Sequence, residues 1–574
     1  MAVENLITEH IDIWTSAVKT KSTSGRGSSK KLELYGVKKL RELILELAVQ
    51  GKLVPQDPND EPASVLLERI ARDKAQLIKD KKIKKNRKQP EITQEEIYFS
   101  VPENWSYARL EDIYDVRDGT HDSPKPTSKG YPLVTSKNLS SGKLDLSTAK
   151  LISKEDHLKV IERSRVDRGD ILFAMIGSIG NPVIVDTDIE FSIKNVGLFK
   201  YYNPKDSSPN FLNYFLKYAA EIMKKQSTGG VQPFVSLGKL RGFVMPIPPI
   251  SEQHRIVAKV DELMALCDQL EQQTEASIEA HRVLVTTLLD TLTNSADADE
   301  LMQNWARISE HFDTLFSTEE SIDQLKQTIL QLAVMGKLVP QDPSDEPAAE
   351  LLKRIADEKA QLVKDKVYQK TSKLKPRNEL ISYPKGWVGV QIGQVCPSIV
   401  PNRDRPKSFT GNIPWVTLPA FPQESLYLDS TKVELALTET EVQKYSARLI
   451  PEGSVLMSCV GRFGLTAINT IPVTSNQQVH AFITLKGLLP EYLSMVIRVE
   501  GKVLETIATS TTIAYLNKTN CESIQFGLPP ENEQRLIVEK AKELIELCEQ
   551  LKVRVKEFQA TQHNLTDAIV EQAI

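Results

Sequence analysis

The sequence predicts a mixed α+β chain. Two mixed α/β domains are separated by long antiparallel coiled-coil helices, in an internal tandem duplication with pseudo-two-fold symmetry. Three observations predict this. First, LRELILELAVQGKLVPQDPNDEPASVLLERIARDKAQLIKDKK (residues 40–82) recurs as LKQTILQLAVMGKLVPQDPSDEPAAELLKRIADEKAQLVKDKV (residues 325–367), with 30 identities in 43 positions at an offset of 285. Second, PPISEQHRIVAKVDELMALCDQLE (248–271) returns as PPENEQRLIVEKAKELIELCEQLK (529–552), offset 281, and ITEHIDIWTS (7–16) is echoed by ISEHFDTLFS (308–317). Third, residues 250–335 and 531–574 contain neither Gly nor Pro, and each carries an apolar stripe at helical spacing.

Along the chain, residues 1–98 read as an N-terminal helical repeat region. It is interrupted by KTKSTSGRGSSKK (19–31), whose Ser/Gly/Lys composition suggests a mobile loop. The run KDKKIKKNRK (79–88) has seven basic residues against one Asp, the pattern of a solvated face or linker, with phosphate contact a secondary reading. Residues 99–249 and 383–529 are rich in Pro, Gly, Ser and Thr, with short apolar runs that read as strands joined by loops. FLNYFLKYAAEIM (211–223) reads as a helix. The two domains match only at landmarks: Trp105 with Trp387, and GDILFAMIGSIG (169–180) with GSVLMSCVGRFG (453–464). Residues 250–382 read as a long central helix plus the second helical repeat, and 530–574 as a long C-terminal helix. The stripe Ile256, Val260, Leu263, Cys267, Leu270, Thr274, Ser277, His281, Leu284 and Leu288 returns 281 residues later as Ile537, Ala541, Leu544, Cys548, Leu551, Val555, Phe558, Gln562, Leu565 and Ile569. A stripe held over more than three heptads predicts a coiled-coil seam. Two such seams pair antiparallel under a pseudo-dyad, and at ~1.5 Å per residue they make a rod of about 60 Å.

Composition narrows the functional classes. The 574 residues carry 72 Lys+Arg against 76 Asp+Glu, net −4, which argues against a protein that coats DNA by charge alone. No apolar run approaches the ~18 residues that cross a bilayer. The N-terminus lacks a basic start followed by an apolar core, so neither a membrane segment nor a signal peptide is expected. Five scattered cysteines without a Cys-x-x-Cys pair suit a reduced, cytoplasmic chain and offer no zinc spacing. Gly-x-x-x-x-Gly-Lys-Ser/Thr, His-Glu-x-x-His, Gly-x-Ser-x-Gly and Gly-x-Gly-x-x-Gly are absent. So is the Asn/Asp-Pro-Pro-Tyr/Phe motif of amino-methyltransferases, since Asn181-Pro182 continues into Val183. The eight His are scattered, and only His10 and His311 recur at equivalent places. No catalytic residue and no metal site are expected.

The duplication itself points to function. Two like helical surfaces suit two copies of one partner, and two unlike domains suit two different readings. Duplex DNA fits, because readers held at a fixed distance read two half-sites. Residues 100–250 carry 20 basic and 17 acidic residues, and 382–530 carry 12 and 11, so the domains are the less acidic parts. Affinity scales with the phosphates neutralised, and net charges of +3 and +1 call for a partner that closes around the DNA. Two rival readings are a self-contained DNA methyltransferase or nuclease with an unrecognised site, and a coiled-coil protein-binding scaffold.

The repeated LAVQGKLVPQDPNDEPA and LAVMGKLVPQDPSDEPA blocks, the PPISEQHRIVAKVDEL and PPENEQRLIVEKAKEL helix starts and the paired glycine landmarks together resemble the specificity (S) subunit of type I restriction-modification enzymes. The resemblance spans essentially the whole chain. The long opening block, with ENLITEH and LRELILELAV, is similar to the subclass with an extended N-terminal conserved region. It implies two target recognition domains separated by long antiparallel helices, and a bipartite DNA target whose adenines are methylated. It further implies docking of two modification (methyltransferase) subunits and, in the full complex, two ATP-dependent restriction (translocase/nuclease) subunits. S-adenosylmethionine, ATP and Mg belong to those partners, and none is expected on this chain.

Candidate DNA contacts are argued locally. RDGTHDSPKPTSKGYPLVTSKN (117–138) is a loop of donors and turn formers, offering Arg117, Lys125, Lys129, Lys137 and Asn138. Ser178 lies between the glycines of Gly177-Ser178-Ile179-Gly180, which let backbone approach closely or simply turn. In the second domain Arg403, Arg405 and Lys407 occupy the matching loop, and Arg462 lies within Gly461-Arg462-Phe463-Gly464. Arg reads guanine, and Asn or Gln reads adenine, which adds Asn195, Gln477 and Gln478.

Overall fold

The computed structural model describes residues 3–22, 30–85, 89–226, 233–371, 373–376, 381–400, 405–422, 425–507 and 514–574. The chain divides into two units, Met1–Ser277 with Gln559–Ile574, and Ile278–Phe558. The cuts are equivalent, since Phe558 lies 281 residues beyond Ser277.

In the first unit, α1 (Val3–Glu9) and α2 (Ile11–Ser16) lead into an antiparallel ribbon of β1 (Val18–Ser22) and β2 (Lys30–Leu34), registered from Val18–Leu34 to Ser22–Lys30. This corrects only the ends of the mobile loop expected at 19–31, namely 19–22 and 30–31. Its described residues are strand, and 23–29 lie outside the described residues. The β-branched Val18 and Thr20 alternate with lysines, and the Ser/Gly content that suggested a loop is confined to 22–29. Next, α3 (Tyr35–Val49) buries Val37, Leu40, Ile44 and Leu47 at helical spacing. Gly51, at φ +71°, ends it, and the Lys52 amide returns to the Leu47 carbonyl at 3.0 Å. A Cβ on Gly51 would stand 2.8 Å from the Pro102 ring, so the glycine also seats the start of the recognition domain. α4 (Ala63–Lys79) completes the repeat.

The domain that follows contains β3 (Ser106–Arg109), α5 (Leu110–Ile113), β4 (Tyr114–Asp118), β5 (Tyr131–Val134), β6 (Lys150–Ile152) and α6 (Lys154–Ser164). It continues with β7 (Ile171–Ala174), β8 (Gly180–Ile184), β9 (Ser192–Ile193), β10 (Val196–Tyr201), α7 (Pro209–Lys225), α8 (Leu237–Gly242) and β11 (Val244–Ile247). β3 and β11 pair antiparallel, so the domain leaves its frame where it enters. Between them stand a four-stranded sheet, β4-β10-β7-β8, and a three-stranded sheet, β6-β5-β9, with β5 and β9 parallel. Val134, Leu139, Leu172, Val183, Ile193 and Leu198 form its buried core.

After α9 (Ile250–Asn294), the second unit repeats the plan with α10 (Ala298–Glu310), α11 (Phe312–Leu315), α12 (Glu319–Val334) and α13 (Ala348–Lys364). Gly336 is again at φ +71°, with a Cβ position 2.6 Å from the Pro384 ring. Its domain runs β12 (Val388–Gln391), α14 (Ile392–Val395), β13 (Ser398–Ile399), β14 (Ile413–Val416), β15 (Ala436–Leu437), α15 (Glu439–Lys444) and β16 (Val455–Ser458). Then come β17 (Thr466–Ile468), β18 (Thr474–Ser475), β19 (Val479–Phe482), α16 (Pro490–Ile507), α17 (Lys518–Glu522) and β20 (Gln525–Leu528). The sheet orders β13-β19-β16-β17 and β15-β14-β18 reproduce those of the first domain strand for strand. α18 (Glu531–Ala573) closes the chain.

The two long helices have 45 and 43 residues. Within the first unit, the end of α18 packs on the N-terminal helices, with Tyr35 donating to Asp567 at 2.7 Å and Ser16 to Gln562 at 3.1 Å. Within the second, Lys337 donates to the Thr293 and Ser295 carbonyls, each at 2.8 Å. The expected seam holds from Ile256 through Thr274, all of it buried, and then shifts. Ser277 and Leu284 are exposed, while Val285, Leu289 and Leu292 are buried. The second helix does the same: Phe558 and Leu565 are exposed, and Thr566 is buried. Each stripe takes two successive four-residue steps, 270–274–278 and 551–555–559. A strict heptad drifts ~20° per repeat from a straight helix, and the extra residue restores the face.

Candidate nucleic-acid interface

In the first domain the strand register gathers the candidate side chains at one sheet end. β10 pairs Gly197 with Asp118 of β4 and Val196 with Ala174 of β7. The segments Gly119–His121, Met175–Gly180 and Lys194–Asn195 therefore emerge together. Gly119 is required there, because a Cβ would stand 2.2 Å from the Ile193 carbonyl oxygen. Asn195 adopts φ +55°, and its amide donates to the Thr120 carbonyl at 3.1 Å. Its side-chain oxygen lies 2.9 Å from His121 Nδ1, and His121 Nε2 lies 3.1 Å from the buried Asp118 carboxylate. Arg163 also pairs with Asp118, and Lys194 donates to Ser123. Ser178 is exposed at the tip of its turn, and Lys125, Lys129 and Lys137 are exposed on the loops after β4 and β5.

Two candidates do not fit. Asn138 is buried, where its side-chain oxygen accepts from the Thr135 amide at 2.9 Å and its NH2 donates to the Asp145 carbonyl at 3.1 Å. That side chain caps a short 3-10 turn and has no freedom to read a base. Arg117 is spent on Asp115, through Nε at 2.8 Å and Nη2 at 2.6 Å, and on the Arg163 carbonyl.

The second domain presents the same sheet end with different chemistry. β19 pairs Ile399 of β13 with Ala481, and Ser458 of β16 with Val479. The segments after β13, after β16 and before β19 are thereby brought together. Arg403 lies outside the described residues. Arg405 and Lys407 are exposed, with the Arg405 guanidinium 5.5 Å from the Phe409 ring centroid. Arg462 is exposed in its turn, and so is Gln477. Gln478 is half-buried, and its amide accepts from Asn476 at 3.3 Å.

The paired glycines have separate jobs. Gly177 and Gly461, at φ +76° and +78°, face open space and make the turn. Gly180 and Gly464 instead admit the following helix: a Cβ at Gly180 would stand 2.8 Å from Ala220, and one at Gly464 2.8 Å from Gly501. Sequence reasoning missed His121, which only the fold places beside Asn195, and passed over Lys194 and Asn476, which lie close to Asn195 and Gln478 in the chain itself.

The surroundings carry little reactive chemistry. All five cysteines are buried, and burial pushes the thiols of Cys267, Cys459 and Cys548 up to about 11 and that of Cys396 up to about 12, far from thiolate reactivity. Burial lowers His480 to about 3. Among the described residues no group of three His, Cys, Asp or Glu is placed to hold a metal, and no helix is long and apolar enough to cross a membrane.

Two domains of one topology, each presenting polar and cationic side chains on a loop face and each rooted in a copy of one helical frame, fit the class of DNA-recognition subunits. The chain belongs to the type I restriction-modification specificity subunits: the type I restriction modification DNA specificity domain matches residues 102–280 and 384–557. The chain is 38% identical over 606 residues to the specificity subunit of the type I restriction enzyme EcoAI of Escherichia coli, covering 100% of both chains. It is 36% identical over 626 residues to that of EcoEI of Escherichia coli, again covering 100% of both. Among solved structures it is similar to the HsdS subunit of Thermoanaerobacter tengcongensis, at 18% identity over 83% of this chain and 98% of that one, with a TM-score of 0.38. Subunits of this family recognise the DNA target and are not themselves catalytic.

Proposed function

We propose that the chain reads an asymmetric bipartite duplex target, with one half-site for each recognition domain (99–249 and 383–529). It works in assembly with modification and restriction subunits; in this reading two modification subunits dock on the duplicated helical surfaces and two restriction subunits join the full complex. S-adenosylmethionine, ATP and Mg act in those partners. One observation carries the reading: the frame is kept at 30 identities in 43 positions, while the domains keep only landmarks. Like surfaces suit like partners. Unlike loop faces, with Ser178, Asn195 and Lys194 in one and Arg462, Gln477 and Lys407 in the other, suit different bases, since guanidinium favours guanine and amides favour adenine. The low positive charge of each domain leaves phosphate neutralisation to the partners.

A domain exchange tests it. Residues 383–529 are replaced by the corresponding domain of a relative, and the methylated sequence is mapped in cells that carry the modification subunit. One half of the target is expected to change while the other persists. If both halves changed together, independent reading by the two domains would be wrong.

A further inference from the structure

Both recognition domains expose an aromatic ring beside the turn that carries Ser178 or Arg462. Phe234 is 46% exposed and Tyr515 is 43% exposed, and they are 281 residues apart, the offset that relates the long helices. Each is locked by backbone to the strand end that forms the interface. Phe234 bridges antiparallel to Ile176, with Gly177 donating to the Pro233 carbonyl at 3.1 Å and Val235 to the Met175 carbonyl at 2.9 Å. Tyr515 bridges Val460, with Gly461 donating to the Ala514 carbonyl at 3.3 Å and Leu516 to the Cys459 carbonyl at 2.9 Å. The next residues, Val235 and Leu516, are buried, so extended backbone alternation turns each ring outward. Domains that share only landmarks have therefore each kept a large, partly exposed aromatic, on a backbone-bonded mount, at the sheet end where the polar candidates gather. A ring held outward on such a face can pack on sugars and base edges or wedge into a base step, where it stacks on the bases it parts, a contact that does not depend on hydrogen-bond readout.

We infer that Phe234 and Tyr515 are equivalent aromatic anchors that pack against the base and sugar surface of the duplex, one at each half-site. They add affinity without sequence preference, while the polar side chains beside them discriminate. The inference rests on the DNA-reading function proposed above and names contacts within it.

The test uses the full chain in complex with its modification subunit, and a duplex carrying the mapped target. Phe234→Ala and Tyr515→Ala are each expected to weaken binding about 10-fold, in line with loss of one stacking contact. The slope of log K against log salt should stay at the wild-type value, because no phosphate contact is lost. Phe234→Trp and Tyr515→Phe should retain binding. Ile189→Ala should also bind as wild type, since this exposed residue follows Val185, which is bonded to Asp170 at the other end of the sheet. Wild-type affinity in both alanine variants overturns the inference, as does a weakened complex with a shallower salt slope. A wild-type complex that binds no duplex at all would instead sink the DNA-reading function itself.

Discussion

At the residue scale, an indole–carboxylate clamp recurs in the two halves. Trp105 Nε1 donates to Glu252 at 3.0 Å, and Trp387 Nε1 to Glu533 at 2.8 Å, tying the start of each recognition domain to the start of a long helix. The copies differ in the second oxygen. Gln56 donates to Glu252 at 2.6 Å, whereas Glu533 Oε1 is buried with no partner among the described residues. Burial raises the Glu533 pKa above its ordinary 4.5, against the lowering effect of the Trp387 bond. The native state then holds this proton more tightly than the unfolded chain, so its contribution is most favourable below pH 4.5 and is lost as pH rises through the folded pKa. Relative to Glu533→Gln, the wild type should gain stability as pH falls through that window. Urea midpoints of the two proteins across a pH series check this, and a pH-independent difference would refute it. The same scale shows why residue type misled the reading of Arg117 and Asn138. Both carry suitable polar groups, but neighbours already hold them: Asp115 accepts from the Arg117 guanidinium, while the Asn138 side-chain oxygen accepts from the Thr135 amide and its NH2 donates to the Asp145 carbonyl. The spacing of Thr135 and Asn138 was a visible capping signal; nothing in the sequence placed His121 beside Asn195.

At the element scale, the two copies of one helix pair carry different charges. Arg41 of α3 meets Asp268 and Glu271 of α9, each at 2.7 Å. The repeat offsets turn Lys38 into Asp323, Glu271 into Lys552 and Glu275 into Lys556. Accordingly Asp323 of α12 pairs with Lys552 of α18 at 2.8 Å, while Lys326–Glu549 keeps the charge sense of Arg41–Asp268. If the near-identical frames exchanged partners, Asp323 would oppose Glu271 and Lys38 would oppose Lys552. The charge reversal therefore opposes mispairing that the apolar faces would tolerate. Lys552→Glu should destabilise the chain by about 1 kcal/mol, the upper range for a partly exposed pair, with recovery on adding Asp323→Lys. Additive losses in that double variant, read from unfolding midpoints, would show the pair does not discriminate. The helices themselves were legible from apolar spacing. The step in their seam was not, because Leu284 and Leu565 satisfy a heptad as well as Val285 and Thr566 satisfy a straight helix; only packing chooses between them.

For the whole molecule, the duplication was readable because helical frames keep their residues, whereas the shared topology of the recognition domains is written in backbone pairing that divergent side chains conceal. The remaining question is what the long helices measure. The seam steps after Thr274 and Val555, and the chain divides just beyond, at Ser277 and Phe558. Seven residues inserted at both divisions would add close to two helical turns and keep the buried face in phase. The added length is roughly 10 Å at ~1.5 Å per residue, or about three base pairs at ~3.4 Å each. With ~10.5 base pairs per turn, that spacing also rotates one half-site by about 100° relative to the other. If the helices set the distance between half-sites, the matched insertion should shift the preferred target to a spacer about three base pairs longer, methylated more weakly because of the rotation. A four-residue insertion in α9 alone should misalign its face and lower the stability of the subunit. Methylation of duplexes that differ only in spacer length decides the matter. An unchanged spacer preference after the matched insertion would show that the distance is set by the partner subunits or the DNA, and not by these helices.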